Sequence, residues 1–129
     1  MRLVHFFIIL SVFINWLCDQ RPVVKDLNIT IQQLQEKIIE NEEILLLDVR
    51  TRGEFEGPLG HLPGSLLIPV QELEQRFIEL NQYKEKEIVV ICRSGNRSVS
   101  ATKILISKGF NAVNVIGGMK AWNKSKKTI

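Results

Sequence analysis

The chain has 129 residues, 45% of them hydrophobic and 24% charged, with a formal net charge of +3. That length gives one ordinary domain and not two, and the composition excludes a disordered chain. The small basic excess is partly due to the terminal lysines Lys120, Lys124, Lys126 and Lys127 and forms no dense basic, aromatic-interleaved face, so nucleic acid is not an expected partner.

Residues 1–18 open with Arg2 and then run almost wholly apolar from Leu3 to Leu17, the pattern of a signal peptide or an N-terminal membrane anchor. No small-x-small triplet marks a cleavage site, and Asn15-Trp16-Leu17 lacks the small residue that precedes a lipidated cysteine, which counts against lipidation at Cys18. This segment predicts an extracytoplasmic domain, periplasmic or anchored facing outward. Residues 19–28 read as a polar linker, residues 29–124 as the domain, and residues 125–129 as a basic tail.

Ile29 starts a short strand, and Thr30 with Gln33 forms a capping-box pattern for a helix running to about Glu40, with Ile31, Leu34 and Ile38 on one face. The continuous apolar run Ile44 to Val49 predicts a central strand covered on both faces. A short helix over Arg50 to Phe55 stops at Gly57-Pro58, and Gly60 to Gly64 reads as a loop. Ser65 to Ile68 is a third strand, ended by Pro69. Val70, Leu73, Phe77 and Leu80 recur at helical spacing and predict one helix from Val70 to about Asn81.

A fourth strand, Ile88 to Ile91, runs straight into Cys92-Arg93-Ser94-Gly95-Asn96-Arg97-Ser98. The helical pattern is expected to resume at Ser98, with the Ser98 hydroxyl as its cap, and to end at Lys108-Gly109. Ala112 to Ile116 is a fifth strand, and after Gly117-Gly118 a short helix from Met119 to about Lys124 closes the domain. Strands alternating with helices predict an α/β fold, a mostly parallel five-stranded sheet with helices on both faces.

The loop after Cys92 carries the chemistry. Backbone N–H groups of a loop closing on a helix N-terminus, together with the helix dipole, stabilise an anion, so the Cys92 thiol should ionise below the usual value of about 8.5. Arg93 and Arg97 are the candidate contacts for an anionic substrate, because guanidinium matches an oxyanion in a bidentate way. The cysteines Cys18 and Cys92 suggest no structural disulfide, which would consume the nucleophile, and no metal site follows from the Cys and His spacing.

The Cys92–Ser98 loop resembles that of a single-domain rhodanese, a sulfurtransferase. So do Asp48-Val49-Arg50, Glu54-Phe55, Gly60-His61-Leu62-Pro63-Gly64-Ser65, Ile68-Pro69 and Gly117-Gly118-Met119-Lys120-Ala121-Trp122. The resemblance implies a rhodanese-like fold and transfer of a sulfane sulfur from a donor such as thiosulfate to a thiol or cyanide through a Cys92 persulfide. It implies no metal and no organic cofactor. Arg93, Ser94, Gly95, Asn96, Arg97 and Ser98 would form the persulfide cradle, with Asp48, Arg50 and His61 in support and Trp122 packing. Two alternatives stand beside it. One is a rhodanese-like binding or tethering module, against which the cysteine counts. The other is a cysteine phosphatase or arsenate reductase, against which counts an interval of only four residues between Cys92 and Arg97.

Overall fold

The structure is a computed structural model describing residues 25–40 and 43–127. The apolar segment 1–18, most of the linker and the last two residues of the tail therefore lie outside the described residues. Among the described residues no helix is long and apolar enough to cross a membrane.

Five strands, β1 (Asn28–Ile29), β2 (Ile44–Asp48), β3 (Leu66–Leu67), β4 (Glu87–Ile91) and β5 (Asn111–Val115), form one sheet in the order β1-β5-β4-β2-β3. Every pairing is parallel. The helices are α1 (Ile31–Ile39), α2 (Arg52–Phe55), α3 (Leu73–Arg76), α4 (Asn96–Ser107) and α5 (Gly118–Lys126). The five strands and the helix after each of β1, β2, β4 and β5 correspond to the elements expected from the sequence, with boundaries shifted by a few residues.

β4 shows how the sequence pattern becomes two cores. Ile88 and Val90 pack on one face with Leu45, Leu47, Leu73, Leu80, Ala101 and Leu105, while Val89 and Ile91 pack on the other with Leu34, Leu62, Val113, Met119 and Trp122. A strand buried on both faces cannot alternate with polar residues, which is why its sequence is a continuous apolar run. Each such fully buried aliphatic side chain contributes about 1.5–3 kcal/mol relative to an exposed one.

Two elements differ from expectation. The single helix over Val70 to Asn81 is instead a 3-10 turn at Val70–Glu72, the short α3, and a second 3-10 stretch at Phe77–Tyr83. Arg76, at φ −113° and ψ 0°, leaves the α-helical path. The tighter winding rises about 2.0 Å per residue against 1.5 Å, so it spans the return to the start of β4 in fewer residues while keeping both Leu73 and Leu80 fully buried. The second difference concerns α4, which begins at Asn96 rather than Ser98, with Gly95 as its N-cap. Ser98 is therefore inside the first turn and caps nothing.

Candidate functional site

Cys92 directly follows β4, the strand between β2 and β5, at the carboxyl edge of the sheet, where parallel α/β folds place their ligands. The loop it opens can close so tightly only because Gly95 adopts φ +103°, a conformation that side chains resist. A Cβ at Gly95 would also lie 3.2 Å from the Gly117 nitrogen.

The N-terminus of α5 holds the loop from behind. Met119 N–H donates to the Cys92 carbonyl at 2.8 Å, and Lys120 N–H donates to the Arg93 carbonyl at 3.0 Å. This approach requires Gly118, where a Cβ would come within 2.4 Å of the Cys92 oxygen. With those carbonyls directed at α5, N–H groups of the loop are left to face the sulfur. Gly95 N–H reaches Sγ at 3.1 Å and the Ser98 hydroxyl lies 3.2 Å from it.

Cys92 is only 1% exposed. Burial pushes its thiol up, but hydrogen bonds with the Ser98 hydroxyl and from the N–H groups of Ser98, Gly95 and Ser94 outweigh that and leave it below its ordinary value. A thiol held below its ordinary value in this way is present as thiolate, the nucleophilic form, at lower pH than an ordinary cysteine.

Ser98 is held in turn by a residue the sequence reading passed over. Its hydroxyl also lies 2.5 Å from Asn114 Oδ1, a second acceptor for the same proton, and Asn114 Nδ2 donates to Asn28 Oδ1 at 3.0 Å. Asn114 is 4% exposed and sits among Ala112, Val113 and Val115 of β5. A buried amide in an otherwise apolar strand was the available signal.

The two arginines of the loop have different surroundings. Arg97 forms a bidentate ion pair with Glu54, both contacts at 2.7 Å, so it is engaged by a carboxylate rather than left open to an anion. The pair lowers the Glu54 carboxyl from 4.5 to about 2, chiefly through the Arg97 hydrogen bonds. Sequence reasoning could not place Glu54 opposite Arg97, because 43 positions separate them. Arg93 is exposed and lines a cleft of about 480 Å³ together with Arg50, Thr51, Gly53, Glu54, Pro58 and Leu59. Ser94 and Asn96 are exposed beside it.

Asp48 and Arg50 are both fully buried and joined at 2.7 Å. The Arg50 guanidinium also donates to the carbonyls of Glu54 at 3.2 Å and Gly60 at 2.7 Å. One side chain thus ties the end of β2 to α2 and to the loop before β3, the wall of the cleft. His61 stands farther out, its Nδ1–H donating to the Phe55 carbonyl at 2.9 Å and its ring stacked on Phe55 with centroids 3.7 Å apart. Trp122 packs in the core against α1.

A family model described as the rhodanese-like domain matches residues 30–125. YtwF of Bacillus subtilis (strain 168), to which sulfurtransferase activity is ascribed, is 40% identical over 99 residues, covering 77% of this chain and 92% of that protein. A sulfurtransferase of Allochromatium vinosum is 34% identical over 92 residues, covering 70% of this chain and 82% of the other. A third relative, the B. subtilis protein YrkF, to which a sulfur-carrier role is ascribed, is 39% identical over 95 residues, but the match spans only 49% of its length. Among solved structures, a rhodanese-like domain protein from Staphylococcus aureus superposes with a TM-score of 0.67 at 34% identity, covering 74% of this chain and 89% of that one.

Proposed function

The chain belongs to the rhodanese-like domain family, and from that premise we propose that it is a sulfurtransferase whose Cys92 carries one sulfane sulfur from a small anionic donor to a thiol or cyanide. The observation that carries this reading is the sulfur itself, buried at the focus of a loop whose N–H groups and Ser98 hydroxyl converge on it.

With thiosulfate as donor, the Cys92 thiolate attacks the outer sulfur. A sulfur–sulfur bond forms to the enzyme, the bond to the sulfonate sulfur breaks, and sulfite leaves with the bonding electron pair. The charge now rests on the terminal sulfur of the persulfide, where loop N–H groups stabilise it as they do an oxyanion. An acceptor thiolate or cyanide then attacks that terminal sulfur, and Cys92 leaves as thiolate. Arg93, at the rim of the cleft, is the cation we assign to the incoming anion, since Arg97 is committed to Glu54. Asp48 and Arg50 support the loop wall and do not touch the reacting atoms.

The test is intact-protein mass spectrometry after incubation with thiosulfate. A gain of one sulfur on the wild-type chain, absent in Cys92→Ser and removed by an added thiol, is the expected result. No gain, with partner capture unchanged in Cys92→Ala, would replace this reading with a binding module. We further propose a location outside the cytoplasm, resting on the apolar run Leu3 to Leu17 alone; the tagged full chain recovered in the cytosolic fraction would contradict it.

A further inference from the structure

Ser98 has one proton and two acceptors. Its hydroxyl can give that proton to Asn114 Oδ1, 2.5 Å away, or to Cys92 Sγ, 3.2 Å away, but not to both. The Thr102 hydroxyl is committed to the Ser98 carbonyl at 2.7 Å and does not substitute. With the proton on Asn114, the sulfur keeps only its backbone donors. With the proton on the sulfur, Ser98 Oγ and Asn114 Oδ1 would face one another as two acceptors at hydrogen-bond distance, an arrangement as costly as an unmade buried bond.

A half-turn of the Asn114 amide removes that conflict, because its nitrogen then donates to Ser98 and frees the hydroxyl for the sulfur. The displaced Asn114 carbonyl would then face Asn28. In the parallel register Asn28 lies directly beside Asn114, and its side chain opens onto a groove of about 90 Å³ lined also by Leu27 and Lys103. Asn28 is exposed, so its amide can turn in step with water satisfying either orientation.

We propose that Asn114, backed by Asn28, is a positioning residue that reverses the direction of the Ser98 hydroxyl as the charge on Cys92 Sγ comes and goes. The proposal rests on the sulfur-transfer reading for its use in turnover. In that cycle Sγ is anionic as the free thiolate and neutral once bonded to the transferred sulfur, so the demand on Ser98 alternates with each half-reaction. A fixed donor would suit only one of the two states.

The test is a double-mutant cycle read by the ultraviolet absorbance of the thiolate, with Cys92→Ser as the blank. Asn114→Asp supplies two acceptors and no donor, so it holds the Ser98 proton permanently. Its added charge, like the charges of Arg93, the Asp48–Arg50 pair and the Arg97–Glu54 pair around the loop, acts on the sulfur whether or not Ser98 is present. In the Ser98 chain the ionisation midpoint is expected to rise by about one pH unit, a tenfold loss of thiolate below the midpoint. In a Ser98→Ala background the rise should be less than half as large. Equal shifts in the two backgrounds, or no shift, would overturn the proposal. Asn28→Asp, on the exposed edge strand, repeats the comparison without altering the core; it should shift the midpoint the same way by less, and by less than half that amount with Ser98→Ala, where only its through-space charge remains. The readout needs no sulfur transfer. A chain that shows the coupled titration but takes up no sulfur would therefore sink the assigned reaction and leave the relay standing.

Discussion

Replacing Glu54 by Gln isolates the charge at the mouth of the site. The amide keeps the capping box with Thr51, in which Thr51 N–H bonds the Glu54 carboxylate at 3.1 Å, so the helix start survives while the ion pair with Arg97 does not. A carboxyl held at about 2 rather than 4.5 sets a ceiling of about 3 kcal/mol on what the pair contributes to folding at neutral pH. The Glu54 and Arg97 side chains are 30% and 32% exposed, so water screens them and we expect about 1–2 kcal/mol. Because the folded state binds the proton more weakly than the unfolded one, this stability is complete above the unfolded pKa and disappears as pH falls from about 5 towards 2. Urea titrations of both proteins at several pH values measure it as a difference, in which carboxylates common to both cancel. A variant as stable as wild type at pH 7, or a gap that does not shrink on acidification, would refute the reasoning.

Arg50→Met should cost about 3–5 kcal/mol in chemical denaturation, because it leaves the Asp48 carboxylate buried without its counter-charge; a loss under about 1 kcal/mol would contradict the role given to the pair. Gly118→Ala drives a Cβ into the Cys92 and Arg93 backbone and forces a side chain onto φ +57°. It should lower stability by about 1–3 kcal/mol and move the pH midpoint of Cys92 alkylation upward, and an unmoved midpoint would show that α5 does not shape the loop. Arg93→Ala should raise the KM for thiosulfate several-fold with stability changed by less than about 0.5 kcal/mol; an unchanged KM would remove Arg93 from the donor contact.

Much of the fold was legible because its signals are local. The Thr30–Gln33 capping box, present in both directions in the structure, lies within four consecutive residues, and the doubly buried strands announce themselves as continuous apolar runs. The misreadings have a different origin. Leu73, Phe77 and Leu80 repeat at helical spacing whether or not the backbone stays α-helical between them, so periodicity could not see the 3-10 segments. Ser98 looked like a cap because serine favours that position, yet the left-handed Gly95 starts the helix earlier and releases the hydroxyl for the sulfur. Arg97 reads as an anion contact because its partner, Glu54, reaches it only through the pairing of β2 with β4, and Asn114 draws no notice because its meaning depends on which face of β5 meets α4.

The clasp of α5 on the backbone of Cys92 and Arg93 has a consequence in time. The nucleophile is made well before the residues that hold its loop in shape, since Met119 and Lys120 leave the ribosome after it. A chain in which residues 118–120 are not yet in place has no donors behind the Cys92 and Arg93 carbonyls, so the loop that presents its N–H groups to the sulfur is complete only once the last helix of the domain is made.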